Sequence, residues 1–242
     1  MAVIGDDVRK CAGSLQLSAG QPCGCEAAIH AMRDLFADQD SDGVLLIDAK
    51  NAFNRLNRNV ALWNVRVLCP ALGTIVINTY RSSVALFVGG EQLLSTEGTT
   101  QGDPLAMAIY AVAITPLIRR VKQEQTRQIW FADDASGSGR LRSLRMWWDC
   151  LSKYGPMYGY FVNSGKTWLV VKEDRFDEAQ NVFQGTGVNI TKEGKRHLGA
   201  ALGCEAFVSQ YVQQPAHKWA SQVDHLANIA KTQPQCTYAS YQ

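Results

Sequence analysis

The spacing of apolar residues predicts several helices. In "EAAIHAMRDLFA" (26–37) the apolar positions recur mostly at helical intervals, which is typical of an amphipathic helix. The turn-rich "DQDSDG" (38–43) ends it. Further helices are predicted over 59–68, from Asp103 onward, over 140–155, over 174–187 and over 207–231. We expect Asp103 to cap its helix, Pro116 to kink or end it, and Pro215 to break the last one.

Short apolar runs predict strands between these helices. "VLLI" (44–47) is continuously apolar, as a strand covered on both faces would be, and it stops at Asp48. Strands are also predicted over 74–80, 84–88, 91–95, 128–131 and 166–171, with a strand or turn over 197–202. Gly89-Gly90 predicts a hairpin between 84–88 and 91–95. Strands and helices do not alternate regularly, so we predict an α+β fold.

Composition narrows the class of protein but does not name a function. The chain has 242 residues, 46% hydrophobic and 19% charged, which is typical of a folded protein. Its net charge of +2 is too small to indicate nucleic-acid binding without a specific site. Seven scattered cysteines without a CxxC pair favour a reduced intracellular protein with no zinc site. The most apolar segment, 104–118, is shorter than the roughly 18–20 residues of a membrane span, so no membrane contact is expected.

Three short motifs are weak matches to known sites. "VIGDDV" (3–8) is similar to the Gly-Asp-Asp turn of viral RNA polymerases, but no carboxylate-bearing strand precedes it, so we predict an exposed turn. "DQDSDG" begins like a calcium loop but has Ala49 where the bidentate Glu belongs, which favours an acidic surface turn. "SGKT" (164–167) lacks the first glycine of a phosphate loop, because position 160 is a tyrosine.

Carboxylates at strand ends form a more informative set. Asp48 ends one apolar strand, and Asp133 and Asp134 follow another in "WFADDASGSG". Adjacent carboxylates repel each other when they lose water, unless a cation lies between them. Three such groups could hold a pair of divalent ions roughly 3.5–4 Å apart, the arrangement used for phosphoryl transfer. Magnesium suits such a site because it binds one or two carboxylates together with phosphate oxygens and water.

Four short sequence motifs, in this order along the chain, resemble those of a known family. "LLIDAKNAFN", "TTQGDPLA", "WFADD" and "GYFVNSGKT" look like the palm motifs of a reverse transcriptase, most like the non-LTR retrotransposon type. The resemblance covers most of the chain from about residue 15. It implies a palm fold, an antiparallel sheet with packed helices. It also implies an enzyme that adds deoxynucleotides to a primer on an RNA or DNA template. Two Mg²⁺ ions are implied as cofactors, with Mn²⁺ as a substitute.

The resemblance also implies roles for individual residues. Asp48, Asp133 and Asp134 match the metal ligands, and Phe53 matches the aromatic steric gate that leaves no room for a 2′-hydroxyl. Gln101 and Gly102 match the loop beneath the paired bases, and Lys166 matches the lysine proposed to protonate pyrophosphate. Leu198 and Gly199 resemble the primer-grip turn. Core burial of Phe53 and a surface position for Lys166 are the plain alternatives.

The resemblance to the family is weaker at both ends of the chain. We expect partial fingers over 1–43, a palm over 44–205 and the start of a helical thumb over 206–242. Phe53 is followed by Asn54 where many relatives have Asp. An active polymerase and an inactive palm remnant of a truncated element are the two main hypotheses. A nucleotide cyclase is disfavoured by "QGDPL". Two basic groups, Arg119–Arg127 and Arg140–Arg145, are expected to be solvated helix faces or contacts to a nucleic-acid backbone.

Overall fold

The computed structural model describes residues 5–100 and 102–241. The helices in these ranges are α1 (Gly5–Ala12), α2 (Gly24–Ala37), α3 (Ala52–Arg55), α4 (Arg58–Leu68), α5 (Pro70–Tyr80), α6 (Ala106–Arg120), α7 (Leu141–Tyr154), α8 (Phe176–Val182), α9 (Glu205–Ala230) and α10 (Pro234–Tyr241). The strands are β1 (Gly43–Ile47), β2 (Val84–Val88), β3 (Glu91–Ser95), β4 (Thr126–Phe131), β5 (Asp134–Gly139), β6 (Trp168–Val171), β7 (Asn189–Thr191), β8 (Gly194–His197) and β9 (Ala200–Gly203). Helices and strands are mixed as predicted.

A five-stranded sheet forms the centre of the fold, in the order β4-β5-β1-β6-β7. Every neighbouring pair is antiparallel except β6 and β7. β1 lies in the middle and is buried at all five positions, which confirms that "VLLI" is covered on both faces. The pairs β2-β3 and β8-β9 form two separate hairpins. The predicted hairpin around Gly89-Gly90 is therefore confirmed.

The two faces of the sheet pack against different partners. Leu45, Ile47 and Leu169 point into the largest apolar cluster, with residues of α6 and α7. Val44 and Leu46 point the other way, toward residues of α2 and β9. Alternating side chains along a doubly covered strand produce this division. The inward positions predicted for α7 are confirmed, because all four are buried: Leu144, Trp147, Trp148 and Leu151.

The strand predicted over 74–80 is wrong, because this segment belongs to helix α5. Its β-branched residues favour a strand by propensity alone. Pro70 starts the helix at a position where a missing N–H is tolerated, and Leu72, Val76 and Tyr80 recur at four-residue spacing. All three are buried in a second apolar cluster with residues of α1 and α6. Tertiary packing therefore decided between the two structures.

Neither internal proline ends its helix, so the break predicted near Pro215 is wrong, and of the two outcomes predicted for Pro116 an end of the helix is excluded. α6 continues past Pro116 to Arg120, and α9 continues past Pro215 to Ala230. In α6, the Asn64 side chain donates a hydrogen bond to the carbonyl of Ala113 at 2.8 Å. Pro116 has no N–H to donate to the Val112 carbonyl four residues earlier, and Asn64 contacts the next carbonyl along the helix.

Three local predictions are corrected at helix starts and in an acidic loop. Asp103 is not the N-cap of α6, which begins at Ala106; its carboxylate accepts a hydrogen bond from the Leu105 N–H in the preceding turn. The exposed Asp6 and Asp7 lie in the first turn of α1 rather than in a free turn, because carboxylates suit a helix N-terminus. In the loop 38–43, Asp42 is buried among hydrogen-bond partners instead of lying on the surface.

Candidate active site

Strand register brings the predicted carboxylates together at one edge of the sheet. β1 and β5 are antiparallel, and Ile47 at the end of β1 pairs with Ala135. Asp48 directly follows β1 and therefore lies level with Asp134. Asp133 occupies the two-residue turn between β4 and β5. The sequence prediction that Asp48, Asp133 and Asp134 meet is thus realised by the sheet itself.

The electrostatics show that these carboxyl groups interact. Burial, and then the neighbouring charges of Asp133 and Asp48, raise the pKa of Asp134 to about 6. Burial also raises the pKa of Asp133, and the Asp48 charge adds to this effect. Like charges close together disfavour ionisation of both groups, and a bound cation would remove that penalty. Burial and mutual repulsion thus both act against full ionisation of these carboxyl groups.

Hydrogen bonds from distant segments fix Asp48. The Asn163 side chain donates to the Asp48 carboxylate at 3.2 Å, and the Asn163 N–H donates to the Asp48 carbonyl at 2.8 Å. The Asp48 N–H donates to the hydroxyl of Thr167, which is fully buried. Asn163 belongs to the motif "GYFVNSGKT". Its contact with Asp48 could not be predicted from the sequence, because the two residues are 115 positions apart.

The turn that carries Asp133 is clamped from both sides. Gln16 is completely buried, and its side-chain amide both donates to the Ala132 carbonyl at 3.0 Å and accepts from the Ala132 N–H at 2.9 Å. Tyr160 is also buried, and its hydroxyl donates to the Asp133 carbonyl at 2.8 Å. Neither residue was assigned a role from the sequence. Gln16 lies outside the four motifs, and Tyr160 lies in "GYFVNSGKT" but is 27 positions from its partner Asp133.

Phe53 lies on α3, five residues after Asp48, and is half-buried. Its ring stacks on Tyr110 with the ring centroids 4.4 Å apart. Burial, and then the charges of Asp133 and Asp134, raise the pKa of the Tyr110 hydroxyl well above its ordinary value. Phe53 thus contacts Tyr110, a buried residue whose hydroxyl is affected by the charges of two of the three carboxylates.

A cavity of about 360 Å³ opens beside the carboxylates. Lys166 is exposed, which agrees with the alternative prediction of a surface position. It also lines this cavity, together with Asp48 and Asp134. The β8-β9 turn lies at the same cavity, with Leu198 in the lining. Lys195 and Arg196 add positive charge, and the Lys195 ammonium lies 4.0 Å from the Trp168 ring centroid. The cavity thus combines carboxylates on one side with basic groups on the other.

The remaining predicted loop is only partly described. Gly102 is exposed and has a φ of 88°, a conformation that favours glycine. Gln101 lies outside the described residues. Asp103, next to Gly102, accepts a hydrogen bond from the Tyr80 hydroxyl.

The carboxylates supply oxygen donors of a kind that could take part in a metal site. Among residues 5–100 and 102–241, no group of three or more Asp, Glu, His or Cys side chains is arranged to hold a metal on its own. Magnesium, however, is commonly bound by one or two carboxylates plus phosphate oxygens and water. Asp48, Asp133 and Asp134 supply oxygen atoms of that kind, and the strand register that brings them together at one sheet edge is the feature that favours a cation there.

Comparison with solved structures identifies the fold. An apo telomerase from Candida tropicalis matches with a TM-score of 0.55 at 13% identity, over 76% of this chain and 35% of that one. A telomerase from Candida albicans, in complex with a TWJ fragment of telomeric RNA, matches with a TM-score of 0.58 at 14% identity, over 86% of this chain and 36% of that one. The corresponding Candida tropicalis complex matches with a TM-score of 0.52 at 14% identity, over 76% and 32% of the two chains.

These matches define the class of fold and nothing finer. The expectation of an α+β fold is confirmed, and the fold is similar to that of part of a telomerase chain. The chain spans about a third of the length of these telomerase chains. No protein-family model and no curated protein matches it in sequence. In the described part of the chain, no helix is both long enough and apolar enough to cross a bilayer.

Proposed function

We propose that the chain is the RNA-directed DNA polymerase (reverse transcriptase) domain of a retrotransposon-like element of the non-LTR type. The observation that carries the proposal is the convergence of Asp48, Asp133 and Asp134 at one sheet edge, within a fold like that of telomerase. The substrates would be deoxynucleoside triphosphates and a primer paired to an RNA or DNA template. The telomerase structures that contain a fragment of telomeric RNA support nucleic acid as the class of partner.

Each residue of the site has a role in this proposal. Asp48, Asp133 and Asp134 would hold two Mg²⁺ ions, or Mn²⁺ in their place. When bound, such ions lower the pKa of the primer 3′-hydroxyl and stabilise charge on the triphosphate. Asn163 and Thr167 hold Asp48 in position, while Gln16 and Tyr160 hold the turn of Asp133. Lys166 lines the cavity and would donate a proton to the departing pyrophosphate.

Phe53 and Gly102 would act on the incoming nucleotide. The Phe53 ring stacks on Tyr110 and so has little freedom to move aside for a 2′-hydroxyl. Gly102 has no side chain, so the backbone of its loop could approach a base closely. Gln101 is proposed to share that role. Replacing Phe53 with valine is expected to admit ribonucleotides.

The proposed division of the chain follows the elements. Nearly all of the five-stranded sheet, together with α6 and α7 on one of its faces, lies within 44–205, which we propose as the palm. Residues 1–43 would belong to the fingers, and the long helix α9 would begin the thumb at 206–242.

Primer extension tests the proposal. Wild-type protein with Mg²⁺, dTTP and oligo(dT) on poly(rA) is expected to extend the primer, and Asp133→Asn is expected to reduce the rate on the order of a thousandfold. Asp149→Asn is the matched control, because Asp149 is an exposed aspartate on α7. Absence of extension by folded wild-type protein would favour the inactive-remnant hypothesis. Equal extension by wild type and Asp133→Asn would contradict the proposed site.

A further inference from the structure

Arg58 is a buried charged residue whose hydrogen bonds converge on a single segment. It begins α4 and is only 6% exposed. Its guanidinium donates to the Ser95 carbonyl at 2.7 Å, to the Ser95 hydroxyl at 3.0 Å, to the Glu97 carbonyl at 2.7 Å and to the Gly98 carbonyl at 3.1 Å. The Arg58 N–H also donates to the Glu97 carboxylate at 2.9 Å. Burying a charge is expensive unless it is fully hydrogen-bonded, and here one segment supplies the acceptors.

The same segment holds the backbone of α3, which carries Phe53. The Thr99 N–H donates to the Phe53 carbonyl at 2.9 Å, and the Gly98 N–H donates to the Leu56 carbonyl at 2.9 Å. Gly98 lies so close to α3 that an added Cβ would be 2.5 Å from the Phe53 carbonyl oxygen and 2.4 Å from that of Asn54. Gly98 also has a φ of 71°, so only glycine suits this position. The segment and α3 are therefore in direct backbone contact.

Beyond Thr99, the segment leads to the loop of Gly102. The Tyr80 hydroxyl accepts a hydrogen bond from the Thr100 N–H at 3.2 Å and donates to the Asp103 carboxylate. The Arg58 guanidinium lies 5.5 Å from the centroid of the Tyr80 ring. Arg58 and Tyr80 thus fix the chain on both sides of position 101, between the β2-β3 hairpin and α6.

We infer that Arg58 is a positioning residue that sets discrimination between deoxyribose and ribose. It holds segment 95–100 against α3, and this segment fixes the Phe53 carbonyl and thereby the ring that would exclude a 2′-hydroxyl. The inference rests on the proposed polymerase function. Without Arg58, three backbone carbonyls lose their donor, the segment loosens, and Phe53 gains room to retreat from a ribonucleotide.

Hydrogen exchange tests the positioning role without requiring activity. In Arg58→Met, the amides of Gly98 and Thr99 are expected to exchange about tenfold faster or more, while amides of the β4-β5 hairpin are unchanged. Arg145→Met is the matched control, because Arg145 also donates to a backbone carbonyl, that of Val182 at 2.8 Å, far from this segment. Unchanged exchange at Gly98 and Thr99 in Arg58→Met would overturn the inference.

Two milder variants keep the test decisive if Arg58→Met does not fold. Arg58→Lys retains the charge but lacks the planar set of donors, so it should accelerate exchange at the same two amides to a smaller extent. Gly98→Ala disturbs the contact from the opposite side and should affect the same amides. If both variants fold and neither accelerates this exchange, Arg58 does not hold the segment.

Nucleotide selection separates a positioning role from a merely structural one. The ratio of kcat/KM for dTTP over UTP is expected to fall about tenfold in Arg58→Lys, chiefly through a lower KM for UTP, and to stay unchanged in Arg145→Met. An unaltered ratio with faster exchange would overturn the assigned effect on sugar selection. If wild type extends no primer, the polymerase proposal fails, and with it the assigned effect on sugar selection; the exchange data still decide whether Arg58 holds segment 95–100.

Discussion

Ala132 illustrates how one residue in the site depends on a distant one. It has a φ of 55°, a left-handed conformation that costs a residue with a side chain about 1–2 kcal/mol. Gln16 offsets that cost, because its amide satisfies both the N–H and the carbonyl of Ala132 in a region without water access. The turn that presents Asp133 is thus held in a strained form by a side chain from before α2.

Replacing Gln16 should therefore destabilise the whole protein through this one turn. We expect Gln16→Leu to lower the free energy of unfolding by about 2–4 kcal/mol, because two buried backbone groups lose their partners. Gln16→Glu keeps an acceptor for the Ala132 N–H but loses the donor to its carbonyl, and it adds charge near Asp133. Urea denaturation measures both effects.

The control for this prediction is Gln184→Leu, since Gln184 is exposed. It should change the free energy of unfolding by less than about 0.5 kcal/mol. If Gln16→Leu unfolds at the same urea concentration as wild type, the two hydrogen bonds to Ala132 contribute nothing to stability.

The sequence predicts acidic residues of this site but not the residues that support them. Asp48 and Asp133 were predicted because each ends an apolar strand, a pattern that is local in the chain. Gln16 and its partner Ala132 are 116 positions apart, and Arg58 lies 37 to 40 positions from its partners. Such contacts depend on the tertiary arrangement, so no spacing in the sequence indicates them.

At the scale of elements, composition and packing gave conflicting signals in α5. Its β-branched residues favour a strand, but the four-residue spacing of Leu72, Val76 and Tyr80 suits a helix packed on α6. The fully buried strand β1 presented no such conflict, because a helix of its length would be marginal. The predicted elements were therefore correct where residue propensity and apolar spacing agreed. The prediction was wrong where only propensity was followed.

Asp42 joins three elements at the opposite end of the sheet from the carboxylate cluster. It directly precedes β1, and its carboxylate accepts from the Leu141 N–H at the start of α7 at 3.1 Å and from Arg140 at 2.9 Å. Arg175, just before α8, lies 3.6 Å from the same carboxylate. A buried carboxylate with these partners both satisfies a backbone N–H at a helix N-terminus and pairs with two arginines.

We expect Asp42→Ala to lower the free energy of unfolding by about 2–4 kcal/mol, because it leaves the Leu141 N–H and two guanidinium groups without this partner. Asp40→Ala is a matched control from the same loop. Asp40 also pairs with Arg140, but its side chain is 83% exposed, so its loss should cost less than about 1 kcal/mol. Thermal or urea unfolding distinguishes the two variants, and equal effects would contradict the structural role of Asp42.

At the scale of the whole molecule, two buried groups make stability depend on pH in opposite directions. Burial lowers the pKa of His197 to about 4, and its Nε2 atom has no hydrogen-bond partner. Burial and the charges of Asp133 and Asp48 raise the pKa of Asp134 to about 6. Both groups line the cavity beside the candidate active site, where Lys166, Lys195 and Arg196 are the other charged neighbours besides Asp48.

The two linkage effects cover nearly the same pH range. Between about pH 4 and 6.5 the unfolded chain binds a proton at His197 that the folded protein does not, so this residue makes stability rise with pH. Between about pH 3.8 and 6 the folded protein binds the extra proton, at Asp134, so this residue makes stability fall as pH rises. Each effect amounts to about 3 kcal/mol at most, and the two oppose each other in wild type.

Single substitutions should reveal the two opposing slopes. With EDTA present, the free energy of unfolding of Asp134→Asn relative to wild type should increase from pH 4 to pH 6.5, because the Asp134 effect, which opposes that of His197, has been removed. His197→Gln should show the opposite trend relative to wild type, whereas the exposed His30→Gln should follow wild type. Urea denaturation at pH 4, 5, 6 and 7 measures these differences. Parallel curves for Asp134→Asn and wild type would mean that the carboxylates do not repel one another in the folded protein, and that the electrostatic case for a cation at this site is wrong.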